Sequence, residues 1–315
     1  MGFAYDPEIE TALQLALERA GGVTPPEATN WREVRATTEA LLAAMERATP
    51  PTPNVSFTTY DTAASDGTVI PMRWYRRDGN APGSAVLYVH GGGMIIGRAE
   101  LYERYVSAYV AATGVPMLVP DYRVAPEHPH PLPVEDCYGA LTWLFAHAST
   151  LEVDPDRIGV MGDSAGGGLA AGVALLARDR SVRLSRQILL YPMLDDRTVD
   201  HDPALVPFAH WTYEKNRMGW TALLGDARGD PDVPASASPA RAKDLSGLAP
   251  AYVEVGELDI FRDESIEYAR RMAAAGVSIE LHVHPGAPHG FERAAPKSAV
   301  ARRALADRYR VLASL

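Results

Sequence analysis

The chain has 315 residues, 47% hydrophobic and 22% charged, with a formal net charge of −10 and one cysteine, Cys137. That length accommodates one large α/β domain, alone or with a small accessory piece, and the composition excludes disordered and fibrous classes. The negative charge disfavours a nucleic-acid partner, no run approaches the roughly 20 apolar residues of a membrane span, and a lone cysteine excludes an intramolecular disulfide. Met1 to Ala20 carries acids and lacks the basic start and apolar core of a secretory signal, so a cytoplasmic protein is expected.

From Asp6 to Arg47 the apolar residues Leu13, Leu15, Ala16, Leu41, Leu42 and Met45 keep helical spacing. Gly21, Gly22, Pro25 and Pro26 split the stretch into two helices, and Thr49-Pro50-Pro51-Thr52-Pro53 reads as a stiff linker. Strands are then predicted at Val55–Tyr60 and Thr68–Arg76, with Ser65-Asp66-Gly67 turning between them. Ala85–Val89 is a continuous apolar run, as expected of a strand buried on both faces. Further strands are expected at Pro116–Pro120, Ile158–Met161, Gln187–Tyr191, Ala251–Val255 and Val277–Val283. The helices between and after them fall near Leu101–Ala112, Val134–His147, Ala165–Ala177, Ser265–Ala275 and Ser298–Leu312. Such alternation implies a largely parallel sheet with helices on both faces. Asp195 to Ala237 breaks the pattern with four prolines, Trp211, Tyr213, Trp220 and short helix-like pieces, and reads as an insertion. The expected organisation is cap helices over 1–54, the first part of an α/β core over 55–194, a cap insertion over 195–237 and the rest of the core over 238–315.

Gly162-Asp163-Ser164-Ala165-Gly166 matches G-x-S-x-G, after an apolar strand and before a small-residue helix. A sharp strand-to-helix turn there lifts the serine hydroxyl clear of the sheet, and the flanking glycines avoid a Cβ clash. The positive end of the following helix points at the reaction centre. His90-Gly91-Gly92-Gly93 follows the buried strand and supplies backbone N–H groups. Gly91, Gly92 and Ala165 are expected to form an oxyanion hole, while His90 holds the loop. A phosphate cradle is disfavoured, because no G-x-x-x-x-G-K pattern is present.

With the serine first in chain order, the acid should lie just beyond a later strand and the histidine after the last one. Asp259 fits the first place. Asp263 and Glu264 are rivals, but they stand where a helix begins and suit a capping role. His289, in the turn-rich Pro285–Phe291 loop, fits the second. His282 and His284 share a strand face and could make a metal pair, without a third ligand cluster of zinc-like spacing. His128 and His130 read as loop residues, and His201 and His210 as lining the lid. The resulting arrangement is Ser164 as nucleophile, His289 as base and Asp259 as the group orienting it, with no metal or organic cofactor required. Met94, Ile95, Asp163 and Trp211 are the substrate-binding candidates, and Asp163, beside the nucleophile, is also expected to help position a neighbouring loop. Tyr122, Arg123 and Glu127 are expected to tie down the loop after the fourth strand, and Cys137 to fill core space.

His90-Gly-Gly-Gly93, Asp121-Tyr-Arg-Val-Ala-Pro-Glu127, Gly162-Asp-Ser-Ala-Gly-Gly167, Glu257-Leu-Asp-Ile-Phe-Arg-Asp-Glu264 and His289-Gly-Phe291 together resemble the hormone-sensitive-lipase-like branch of the α/β-hydrolases, in its bacterial esterase form. The resemblance runs in order from about Val55 to the C-terminus. It implies an α/β-hydrolase fold with an eight-stranded, mostly parallel sheet, a helical cap, hydrolysis of small-molecule esters of short to medium acyl chain, and edge-strand homodimers. Met94 stands where the family often has an aromatic residue, and Ile260 where proline is common. Amide or peptide hydrolysis, or a non-catalytic ligand receptor on the same fold, are the alternatives.

Overall fold

The computed structural model describes residues 2–19, 30–79, 81 and 83–315. All the expected strands form: β1 (Val55–Ala63), β2 (Val69–Arg77), β3 (Ala85–Val89), β4 (Met117–Pro120), β5 (Ile158–Asp163), β6 (Arg186–Leu190), β7 (Ala251–Gly256) and β8 (Ile279–His284). They join one 8-stranded sheet in the order β1-β2-β4-β3-β5-β6-β7-β8. β2 runs antiparallel to both of its neighbours, and every pairing from β4 to β8 is parallel. The hairpin turn depends on Gly67, at φ 82°, while Asp66 Oδ1 accepts the Thr68 N–H at 3.0 Å.

Parallel strands need helical crossovers, which cover both faces of the sheet and bury the central strands completely. Every residue of β3, β5 and β7 is accordingly buried, whereas β8 at the outer edge is only half-covered. The crossovers include α3 (Glu103–Thr113), α4 (Leu132–Ala146), α5 (Ala165–Asp179) and α7 (Arg262–Ala274). α5 is rich in glycine and alanine and lies in the interior against β5 and β6. α7 begins three residues before the expected Ser265, so Asp263 and Glu264 stand in its first turn.

At the N-terminus, α1 (Pro7–Arg19) and α2 (Trp31–Ala48) form as two helices. The break assigned to Gly21, Gly22, Pro25 and Pro26 lies outside the described residues. Asn30 caps α2 by accepting the N–H groups of Arg32 and Glu33. The insertion holds more order than short pieces. α6 (Tyr213–Leu224) is a 12-residue helix, capped by Thr212 and ended by Gly225, and it buries Trp220 and Leu223. α2 lies against α6, and Ile9 of α1 packs with Phe291 of α8 (Phe291–Ala294) and Val300 of α9 (Ala299–Ala313).

Candidate active site

Ser164 occupies the turn between β5 and α5 with φ 56° and ψ −122°, a conformation that costs a non-glycine residue about 1–3 kcal/mol. The surroundings hold it there: its N–H donates to Leu190 O at 2.9 Å, and its carbonyl accepts from Met193 N at 2.9 Å and Gly168 N at 3.1 Å. The turn is too tight for side chains on either flank. A Cβ on Gly162 would lie 2.1 Å from Gly166 O, and one on Gly166 would lie 2.1 Å from Val89 O.

Asp259 follows β7 in a tight turn and is 1% exposed. Its Oδ1 accepts the Phe261 N–H at 3.0 Å, which leaves Oδ2 facing His289 Nδ1 at 2.6 Å. His289 Nε2 then lies 2.9 Å from Ser164 Oγ. A carboxylate at Nδ1 fixes the proton on that nitrogen, so Nε2 presents its lone pair to the serine hydroxyl. Burial of the imidazole, the largest single influence, opposes protonation, yet the charge and hydrogen bond of Asp259 with the charges of Glu292 and Asp163 together outweigh it, and the His289 pKa stands above its ordinary 6.5. Tyr191 and Phe261 meet the ring edge-on, with centroids at 4.9 and 5.3 Å. The loops bearing Asp259 and His289 are tied together: Leu258 N donates to Ala287 O at 3.0 Å and Gly286 N to Glu257 Oε2 at 2.9 Å.

The glycine loop corrects two expectations. Gly91 N–H donates to Asp163 Oδ1 at 3.1 Å, so it is already engaged and is withdrawn from the oxyanion set. The N–H groups of Gly92, Gly93 and Ala165 have no acceptor among the described residues. Asp163 is not a substrate-binding residue either: it is buried, and the same Oδ1 accepts Tyr88 OH at 2.6 Å. It anchors the loop. Asp163→Ala is expected to leave two buried donors unpaired, at about 1–3 kcal/mol each, which a denaturant titration would register.

His90 Nδ1 lies 2.9 Å from Gly91 O, its ring is stacked between Tyr122 and Tyr102, and burial lowers its pKa. It holds the loop as a neutral imidazole. Met94 and Ile95 are buried beside it, and the trailing backbone is pinned by Arg35 of α2, whose Nε donates to Ile95 O at 2.6 Å. Trp211 covers Gly93 so closely that a Cβ there would lie 2.2 Å from the indole.

The rival groups lie elsewhere. Glu264 is buried and accepts the N–H groups of Leu194 and Asp195, while Asp263 pairs with Arg262 at the surface. His282 bonds Glu280 at 2.8 Å and could share a cation with Glu280 and Asp307, but Arg310 already bridges those two carboxylates. His284 faces Glu254 at 3.7 Å. His210 is the exception: it lies with Tyr5 where the N-terminal segment meets the insertion, and next to the His289 backbone, with its pKa lowered by burial and by the neighbouring His289. His201 pairs with Glu214 at 3.0 Å. Arg123 is locked to Asp136 and Asp66, and Glu127 takes Arg35 at 2.7 Å.

Residues 86–293 match the family model described as the alpha/beta hydrolase fold. The chain belongs to the α/β-hydrolases. It is similar to carboxylic ester hydrolase LipN of Mycobacterium tuberculosis, 37% identical over 70% of this chain and 61% of that one. It is also similar to ethyl acetate hydrolase of Pseudomonas putida, 32% identical over 92% of each chain. Among solved structures, a bacterial heroin esterase superposes with a TM-score of 0.88 at 37% identity, covering 99% of this chain and 98% of that one. These relatives place this α/β-hydrolase in the hormone-sensitive-lipase-like branch and among the carboxylic ester hydrolases, enzymes of small-molecule esters. No described helix is long and apolar enough to cross a membrane.

Two parts of the site have no counterpart in the motif reading. Arg35 lies in a helix far from any motif, and only its bonds to Ile95 O, Ala125 O and Glu127 connect it to the glycine loop of this hydrolase. Behind His289, Arg308 of α9 is fully buried between Glu254 and Glu292, and Tyr191 OH donates to Glu292 Oε1 at 2.6 Å. A charged triplet scattered over 55 positions leaves no local spacing to detect. A buried arginine in an amphipathic helix was the one available signal.

Proposed function

We propose that this α/β-hydrolase cleaves short- to medium-chain carboxylic esters through a Ser164–His289–Asp259 triad and an acyl-enzyme. The observation that carries the reading is the relay of 2.9 Å from Ser164 Oγ to His289 Nε2 and 2.6 Å from Nδ1 to Asp259 Oδ2. His289 takes the hydroxyl proton as Ser164 Oγ attacks the ester carbonyl, and Asp259 stabilises the imidazolium. The oxyanion is received by the N–H groups of Gly92, Gly93 and Ala165. Collapse of the tetrahedral intermediate transfers the proton to the departing alcohol. Water, deprotonated by His289, then attacks the acyl-serine and releases the acid. Each step uses side chains, backbone and water alone.

The chain-length preference is supported by the kinship with an ethyl acetate hydrolase and by Trp211 closing over Gly93. In this reading residues 1–54 and 195–237 act as the cap, with Met94, Ile95 and Trp211 walling the substrate. The exposed Leu281 and Val283 on β8 serve an edge-strand dimer, and the protein works in the cytoplasm.

A fluorophosphonate probe is expected to label Ser164 stoichiometrically. Across p-nitrophenyl esters from acetate to palmitate, kcat/KM should peak at or below octanoate, and the amide matched to the best ester should be turned over far more slowly. A maximum at palmitate would overturn the chain-length assignment, and an amide cleaved as fast as its ester would make the enzyme an amidase. Because His289 must be neutral to act as base and its pKa is raised, kcat/KM should rise with pH through a value above 6.5. In Asp259→Asn that limb should move to lower pH, with kcat reduced about 10⁴-fold.

A further inference from the structure

The inward face of α6 carries Tyr213, Asn216, Gly219, Trp220 and Leu223, all of them buried. Asn216 is the one amide on that face and is 0% exposed. A buried amide is costly unless its oxygen and its nitrogen both find partners. On Asn216 both do. Trp211 Nε1 donates to Asn216 Oδ1 at 3.3 Å, and Asn216 Nδ2 donates to Thr198 O at 2.6 Å. The partners fix which way the amide points, since an indole N–H can only donate and a carbonyl can only accept. Leucine would supply neither function, and aspartate would lack the donor.

One end of this bridge is rooted in the core. The Thr198 hydroxyl donates to Glu264, whose Oε1 accepts the N–H groups of Leu194 and Asp195 at 2.5 and 3.2 Å. Glu264 stands in the first turn of α7, in the segment that follows Asp259. The other end reaches the glycine loop through the Trp211 indole, which covers Gly93. α6 seats on the same residue: a Cβ on Gly219 would lie 2.3 Å from Gly93 O. Residues 216 and 219 share a helix face, so the glycine sets how close α6 comes to the loop while the amide sets the orientation of the indole above it. Trp211 is only partly buried, so packing alone does not lock its ring.

We propose that Asn216 is a positioning residue for acyl-chain selection: by holding the Trp211 indole over Gly93, it limits the room left for the acyl chain beside the oxyanion donors. The inference rests on the ester-hydrolase reading and deepens it, because it assigns the chain-length limit to one hydrogen bond. A held indole closes the space to longer chains. An indole released from Asn216 turns about its own side-chain bonds and admits them.

The test compares kcat/KM for p-nitrophenyl butyrate and p-nitrophenyl decanoate in the full-length parent, in Asn216→Leu, in protein carrying β-(3-benzothienyl)alanine in place of Trp211, and in the combination. The benzothienyl ring matches indole in shape and lacks the N–H. Asn216→Leu should raise the decanoate-to-butyrate ratio about tenfold, the worth of one to two methylenes gained in apolar contact, through a lower KM for decanoate. The isosteric ring alone should raise it as much. Combining the two should add nothing, because both remove the same bond, whereas an asparagine that merely fills space would give effects that multiply. An unchanged ratio in either variant, or multiplied effects in the combination, overturns the proposal. The isosteric ring decides alone if Asn216→Leu fails to fold, since it keeps the packing of a partly exposed position. A parent that hydrolyses neither ester would overturn the ester-hydrolase reading itself, a result visible before any variant is made.

Discussion

Ser164→Ala is expected to lower kcat on p-nitrophenyl butyrate by about 10⁶-fold, with His289→Ala falling to a similar level and the double variant little lower. The three values should not add, because hydroxyl and imidazole act as one unit: the 2.9 Å contact carries the proton only while both are present. Residual catalysis should come from the amide cluster at Gly92, Gly93 and Ala165, which stays intact when Oγ is removed. The fold should be unaffected. Ser164 is anchored through its backbone by Leu190, Met193 and Gly168, while among the described residues its side chain bonds only His289. Initial rates at enzyme concentrations high enough to see the residual activity, with thermal melts of each variant, measure both statements. A loss below about tenfold would remove Ser164 from the chemistry.

The parts of this molecule legible in the sequence are those encoded locally. Ala85–Val89 is an uninterrupted apolar run because helices bury both faces of its strand, and Ala251–Val255 is broken only by Glu254; each forms where expected. The serine turn was legible because its geometry demands glycine on both sides, and chain order then pointed to Asp259 and His289. What escaped depends on distance in space. The expectation for Gly91 failed because the motif shows which residues lack a side chain, not which N–H is already bonded. Asp163, adjacent to the nucleophile, turns inward and takes the Gly91 donor together with Tyr88. Of the two roles expected of Asp163, loop positioning holds and substrate binding does not, because position next to the nucleophile says nothing about which face of the turn its carboxylate finds. Proline-rich flanks make the sequence of α6 look fragmentary, masking a helix whose caps, Thr212 and Gly225, delimit it cleanly. Arg35 carries no pattern at all, since an arginine on a helix is ordinarily a solvated residue.

The second large effect concerns stability and should appear in Arg308→Met. Arg308 is wholly buried, donating from Nε to Glu254 Oε1 at 2.9 Å and from Nη1 to Tyr109 OH at 2.8 Å, with Glu292 Oε1 at 3.1 Å from Nη1. Removing the cation strands two carboxylates in the interior, which typically costs 3–5 kcal/mol. The pH dependence gives the cause away. In the parent protein burial alone would raise the Glu292 pKa, but Arg308 overrides it and brings the value to about 2, and Glu254 is lowered for the same reason. A depressed carboxylate adds stability that is complete above its unfolded value of 4.5 and is lost as pH falls toward 2. In Arg308→Met burial, the largest influence on both groups, meets only the weaker opposition of Tyr191 and Arg293 at Glu292 and of His284 at Glu254, so both pKa values should rise above the unfolded one and the sign reverses: the variant should gain stability as pH falls from neutrality toward 4.5. The triple variant Arg308→Met/Glu254→Gln/Glu292→Gln, which removes the charge altogether, should recover most of the loss and show little pH dependence from these positions. Urea titrations at pH 7 and pH 5 separate the cases, and an Arg308→Met variant that gains no stability relative to the parent between them would show that packing, not charge, holds α9 against the sheet. Tyr191 links this network to the imidazole, through its bond to Glu292 and its edge contact with His289, so the folded variant should also lose activity before it loses structure.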